Sequence, residues 1–398
     1  MKKLTVLFLA FLMTGLAFGT DYHISTQADF DTYRDYTFSP GDNILFERGK
    51  VFTGMFEPRG SGTAGNVITL SAYGTGDLPV INNNGVFHPH PLRPTVPEDE
   101  ICACILLFNV EYWEVNNIEC TNYSSASGSD NTLQMYGIFI RAEDTVDPYD
   151  HIYIEDCYVH HINVIPGDSI KNAEKNRGGI HARGYYTGPA YHAGWFNDLR
   201  IVNNYMEYIG GTGITLDAGG RIVDAHTFLG DSREGAWTNV YIADNYIGYT
   251  GRNNMIIRDC DYAMVEYNTL AYSSRASTGH SSYCHTTLGI TFQYNEVYGN
   301  TGDASDKDRG GFDADNNCKD TVIQYNYSHN NEWFCGIMKD ENMNVTIRYN
   351  LSVNERHGAY YYGFEPQDDS YNVKIYNNTH YFKSSITPDI LCNDRTPV

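Results

Sequence analysis

Seven short stretches of the chain alternate apolar and polar residues and close on asparagine. They are LRIVNN, VYIADN, MVEYN, ITFQYN, TVIQYN, VTIRYN and VKIYNN, ending at Asn204, Asn245, Asn268, Asn295, Asn326, Asn350 and Asn378. The gaps between them are 41, 23, 27, 31, 24 and 28 residues. A period of two predicts a strand in each. Their recurrence with insertions of variable length predicts a solenoid. No single strand of this kind can bury its apolar face alone. Stacked coils can, and stacking turns the asparagines into an internal ladder of amide hydrogen bonds.

A second phrase precedes each asparagine phrase: GIFIR (137–141), GIHAR (179–183), GITLD (213–217), NMIIR (254–258), GFDAD (311–315) and GIMKD (336–340). Counting back 14 residues from Asn295 supplies the missing member, SSYCH (281–285). Within each phrase the second and fourth residues are mostly apolar, so they face the core. The third and fifth then face outward. The fifth column reads Arg141, Arg183, Asp217, Arg258, His285, Asp315, Asp340; the third reads Phe139, His181, Thr215, Ile256, Tyr283, Asp313, Met338. Ordinary solvated faces favour Lys and Glu. This strip has neither and gathers Arg, Asp and His. Lys339 falls in an inward column, which predicts an irregular coil or a slip of register there.

Adjacent coils lie about 4.8 Å apart and same-face neighbours on a strand about 6.8 Å apart. Asp313 and Asp315 therefore suit an acid and a base with a water between them. His285 is expected one coil from both Arg258 and Asp315. Asp315 and Asp340 are expected on adjacent coils, where crowding raises one carboxyl pKa or welcomes calcium. The catalytic candidates are Asp313, Asp315, Asp217, His285 and Asp340. The substrate-binding candidates are Arg141, His181, Arg183, Arg258, Tyr283 and Lys339, because guanidinium forks match carboxylate and sulfate groups. Asp315, Asp340 and Glu341 form a candidate calcium set. The insertion GYYTGPAYHAGWF (184–196) is a candidate binding wall. His280 reads as a loop residue, GDASDKDRGG (302–311) as a solvated turn, and Tyr360-Tyr361-Tyr362 as a sugar platform or an apolar end.

Composition narrows the setting. MKKLTVLFLAFLMTGLAFG (1–19) reads as a secretory signal peptide, which predicts a secreted, periplasmic or cell-surface protein with no membrane span. Residues 20–398 are expected to form one β-helix domain, with a lead-in over about 20–100 and regular coils over about 103–380. No polar cap is evident in the closing DILCNDRTPV, so either the last residues cap the stack or the chain is C-terminally truncated. A net charge of −22 excludes nucleic acid as a partner, and a monomer is expected. The nine cysteines are odd in number and irregular in spacing, which favours small core residues over a disulfide framework. The 33 tyrosines suit a solenoid core or sugar stacking.

The segments PGDNILFERGKVFTG (40–54) and SGTAGNVITLSAYGTGDLPVI (61–81) resemble the opening of β-helix glycoside hydrolases of polysaccharide-degrading bacteria. GFDADNNCKDTVIQYNYSHNNE (311–332) resembles one of their coils. The chain from residue 20 on resembles secreted bacterial right-handed parallel β-helix proteins, the fold of pectate lyases and polygalacturonases. That resemblance implies glycosidic cleavage by aspartates of the first-strand face, carried onto Asp313 and Asp315, then Asp217 and Asp340. Two departures stand out. Family-nine pectate lyases carry paired aspartates before GFD, where this chain has Arg309-Gly310-Gly311. The YGFDPH signature of mannuronan epimerases is here YGFEPQ, with Glu365 and Gln367. The leading expectation is a glycoside hydrolase acting on a plant or algal, anionic polysaccharide with no required cofactor. Its rivals are a calcium-assisted polysaccharide lyase, with Arg258 or Lys339 as base, and a non-catalytic glycan-binding solenoid.

Overall fold

The computed structural model describes residues 19–95, 100–125, 134–143, 145, 147–171, 173–185, 194–218, 235–302, 308–337, 342–363 and 370–393. The strands form three parallel sheets of 14, 11 and 10 strands, one strand of each sheet per regular coil. Met255–Arg258, Met264–Glu266 and Thr269–Ala271 are one such coil, and Ser282–His285 begins the next. The winding is a right-handed parallel β-helix. The one helix among the described residues, Gln27–Tyr33, lies at the N-terminal end. Its Thr26 cap and Asp29 form a capping box, and its buried Phe30 stacks on Phe52 at 5.9 Å. No helix among the described residues is long and apolar enough to cross a membrane.

The asparagines form the expected ladder. Each Nδ2 donates to the next Oδ1 at 2.9–3.0 Å, from Asn204 through Asn245, Asn268, Asn295, Asn326 and Asn350 to Asn378. Each Oδ1 also accepts the backbone N–H of the preceding rung, as Asn268 Oδ1 does from Asn245 at 3.0 Å. Tyr267, Tyr294, Tyr325 and Tyr349 stand just before four of these asparagines at φ of 55–58°. That conformation costs a bulky side chain about 1–2 kcal/mol. The rings offset it by stacking outside the coil at 5.1–5.4 Å, within 11° of parallel. Part of the tyrosine excess is therefore a surface ladder. The eight described cysteines from Cys102 to Cys335 are buried free thiols in or against the core.

A second ladder ends on an acid. Asn300 donates its backbone N–H to Asn331 Oδ1 at 2.9 Å, and Asn331 donates its own to Glu355 Oε2 at 2.6 Å. Ser328 donates to Glu355 Oε1 at 2.6 Å. Glu355 is fully buried, and burial pushes its carboxyl up to about 8 despite these donors. The folded state thus keeps a proton that the unfolded chain loses near pH 4.5. Stability should fall as pH rises from about 4.5 to about 8, by roughly 3 kcal/mol at pH 7. Glu355→Gln, which keeps the shape and an amide donor, should melt higher than the parent at pH 8 and equal it near pH 4.5. Parallel thermal melts at the two pH values check this.

The 10-stranded sheet contains the first-strand phrases, with Ile138, Ile180 and Ile214 in register and pointing into the core as expected. Two features depart from the sequence expectation. Asp313 pairs with Gly336, so the GIMKD coil is displaced by two residues from its expected alignment. Cys284 pairs with Ala314 but His285 pairs with Asn316, which leaves Asp315 as the extra residue of a β-bulge. His285 does lie opposite Arg258, but it does not lie opposite Asp315.

Candidate active site

The outward columns are not an open ridge. Phe139, His181, Thr215, Ile256, Tyr283 and Asp313 are each less than 5% exposed. Part of the 163–178 insertion folds over them. Thr215 donates its hydroxyl to the Lys175 carbonyl at 3.1 Å, and Tyr136 donates to the Asn176 carbonyl at 3.3 Å. Arg258 Nη1 donates to Asn176 Oδ1 at 3.1 Å, and Lys175 Nζ sits 5.1 Å from the centre of the Tyr283 ring. The strip is a floor beneath a strap. Neither Lys175 nor Asn176 was a candidate from the sequence.

Towards the N-terminal end the floor is basic. Asp217 lies between two arginines, 4.0 Å from Arg183 Nε and 3.5 Å from Arg258 Nη1. It is placed as their counter-ion, on the arginine side of the floor. Arg258 Nη2 also donates to the Tyr283 hydroxyl at 2.9 Å. Burial, helped by the charge of Asp315, pushes the Tyr283 phenol up to about 12 against the pull of Arg258. Burial and the nearby arginines, Arg183 foremost, press His181 down to about 3. Neither of its ring nitrogens has a hydrogen-bond partner among the described residues. A neutral imidazole of this kind suits the binding role expected of it.

Arg141 completes this half. Its Nε lies 2.5 Å from Glu143 Oε1, which also accepts from His90 Nε2 at 2.9 Å; Arg93 Nη1 donates to Oε2 at 2.9 Å. Burial pushes the Glu143 carboxyl up, but these donors and the Arg141 charge together hold it at about 2. The guanidinium groups of Arg141, Arg93 and Arg183 stand 4.5, 5.4 and 5.4 Å from the centre of the Tyr185 ring. Tyr185, Arg141 and Arg183 line a cavity of about 170 Å³ with Tyr136, Phe139 and Gln134. Of the expected wall 184–196, residues 186–193 lie outside the described residues.

The C-terminal half of the floor is acidic and centres on a residue the sequence reading passed over. His280 is 1% exposed. Its Nδ1 accepts the Gly310 backbone N–H at 2.9 Å, so its ring proton is on Nε2. Among the described residues, Nε2 faces Asp308 Oδ1 at 3.5 Å and Asp313 Oδ2 at 3.8 Å. Gly336 makes room for this: a Cβ there would stand 2.8 Å from both Asp313 Oδ1 and His280 Nε2. Asp315 follows at the bulge, 6% exposed. His285 bonds Thr286 Oγ1 through Nδ1 at 2.7 Å, to one side. Trp333, opposite Gly310, and Tyr361, opposite Gly336, close the far flank with rings 5.8 Å apart. His280 and Asp308, read from sequence as loop and solvated turn, are thus part of the site. Polarity alone gave no signal for either.

Lys339, Asp340 and Glu341 lie outside the described residues. Two of the three expected calcium ligands are therefore not placed. Among the described residues no group of three or more His, Cys, Asp or Glu side chains is arranged to hold a metal ion.

The chain matches no protein-family model. Over 414 aligned positions it is 27% identical to a lacto-N-biosidase of Bifidobacterium longum subsp. longum, in an alignment covering 86% of this chain and 25% of that protein. The chain thus spans about a quarter of the length of that curated relative. Among solved structures, the GH136 lacto-N-biosidase from Eubacterium ramulus has a TM-score of 0.69 at 20% identity, over 92% of this chain and 68% of that one. An alginate lyase from Paenibacillus sp. str. FPU-7 has a TM-score of 0.50 at 14% identity, over 92% and 98%. The chain is a right-handed parallel β-helix similar to carbohydrate-active enzymes of that fold.

Proposed function

We propose that this chain is a glycoside hydrolase whose chemistry lies on the acidic half of the covered floor. The observation that carries the reading is the placement of His280 Nε2 between Asp308 and Asp313, beside Asp315. Sequence similarity to a lacto-N-biosidase supports hydrolysis of a glycan. The His280 N–H faces Asp313 Oδ2 at 3.8 Å and orients that carboxylate as the base. Asp315, two residues on, supplies the acid. Inversion needs the two carboxyl groups roughly 6.5–9.5 Å apart, with a water between them. Asp313 takes a proton from that water as its oxygen bonds to the anomeric carbon. Asp315 gives its proton to the glycosidic oxygen as the carbon–oxygen bond breaks. Asp217, Arg183 and Arg258 bind rather than transfer protons. No step is assigned to Asp340, Lys339 or a calcium ion.

The glycan carries anionic groups in this reading, with plant or algal polysaccharides as one source; export follows from the leader-like residues 1–19. The test is a glycan panel assayed for new reducing ends and for the ultraviolet absorbance of unsaturated sugars, with and without chelator. Lacto-N-biosides belong in the panel because of the similarity above. Reducing ends without absorbance are expected. Unsaturated products lost on chelation would transfer the reading to a lyase, and binding without any product to a glycan-binding solenoid.

A further inference from the structure

We infer that the cavity between Arg141, Arg183 and Tyr185 is a subsite for the carboxylate or sulfate group of a charged sugar, set four to five coils, or about 19–24 Å, from Asp313. Its use during cleavage rests on the glycosidase reading; its affinity for an anion does not.

The chain has a net charge of −22, yet this end of the floor is cationic. Arg93, Arg141, Arg183 and Arg258 are balanced at contact distance by Glu143 and Asp217. Among the described residues of the lining the acid is Glu100, which is exposed. Arg141 is a built element, its side chain 8% exposed and anchored through Nε on Glu143. Its Nη2, and Arg183 Nε, are buried with no hydrogen-bond partner among the described residues. Arg183 Nε faces Asp217, so the buried donor left unmatched at the cavity is Arg141 Nη2; leaving it so is costly, and an oxyanion there would meet it. Tyr185 stands against both guanidinium groups and holds them apart from each other. A volume of about 170 Å³ admits a charged substituent and part of one ring.

The distance has a consequence for specificity. A charge recognised four to five coils from the acidic half fixes which linkage of a longer chain is presented to Asp313. Short neutral sugars cannot use both ends of the floor.

The test measures binding of D-glucuronate and D-glucose 6-sulfate against neutral D-glucose by ligand-detected NMR on the full chain. The charged sugars should bind at least tenfold more tightly than glucose, with inorganic sulfate competing. Arg141→Gln and Arg183→Gln should each weaken them tenfold or more, about 1.4 kcal/mol, and leave glucose unchanged. Equal affinity for glucose, or charged-sugar binding that persists in Arg141→Gln/Arg183→Gln, would overturn the assignment. Should a glutamine variant not fold, Arg183→Lys keeps the charge without the fork, and sulfate competition on the parent protein decides alone. With an active glycan in hand, the arginine variants should raise KM for charged oligosaccharides and spare kcat. Anion binding without any hydrolysis would sink the glycosidase reading and leave the subsite standing.

Discussion

Asp313→Asn and Asp315→Asn should each lower turnover of a responsive glycan by about 10³-fold or more, in line with the loss of one general acid or base. Both substitutions preserve shape, so melting temperature and charged-sugar binding should stay near the parent values. Asp308→Asn removes one charged neighbour of His280 and should cost less, because Asp308 acts through the imidazole. Gly336→Ala should fall with the aspartates, since its methyl would intrude 2.8 Å from Asp313 Oδ1 and His280 Nε2. Full turnover by Asp315→Asn would remove it from the chemistry. Unchanged activity in both Asp313→Asn and Gly336→Ala would move the reaction away from this half of the floor.

Asn268→Ala should destabilise the fold by about 4 kcal/mol, because it strands several buried groups that each cost roughly 1–3 kcal/mol. Asn268 Oδ1 accepts both the backbone N–H and the Nδ2 of Asn245, at 3.0 and 2.9 Å. Its own Nδ2 donates to the Ile242 and Glu266 carbonyls at 3.0 Å and to Asn295 Oδ1 at 2.9 Å. Alanine leaves the Asn245 donors and the Ile242 acceptor facing apolar surroundings. The denaturant midpoint should drop with little change in slope. A loss below about 1 kcal/mol would mean that neighbouring rungs or water replace those bonds.

The ladder and the inward columns were legible because each rests on a local rule. Strand alternation sorts Ile180 from His181, and an amide at a fixed step in every coil has one economical use. Register in the later coils was less legible. GIMKD opens with the same Gly-Ile as GIHAR and GITLD, but pairing is set by close packing around Asp313, which demands glycine opposite it. The bulge at Asp315 left no trace in composition. His280 was missed because STGHSS has the look of a turn; only the backbone N–H of Gly310, thirty residues on, fixes the imidazole. The outward strip was read as an exterior ridge because alternation reports which side of a strand a residue takes, not whether a distant insertion roofs it.

The gaps between rungs range from 23 to 41 residues, yet the amide-to-amide spacing scarcely varies. Loop growth is thereby uncoupled from the stack: an insertion can lengthen, shorten or be exchanged without shifting any rung. Selection can remodel the outer loops while inheriting the stacked rungs intact, so surface and scaffold in such a chain are free to evolve at different tempos.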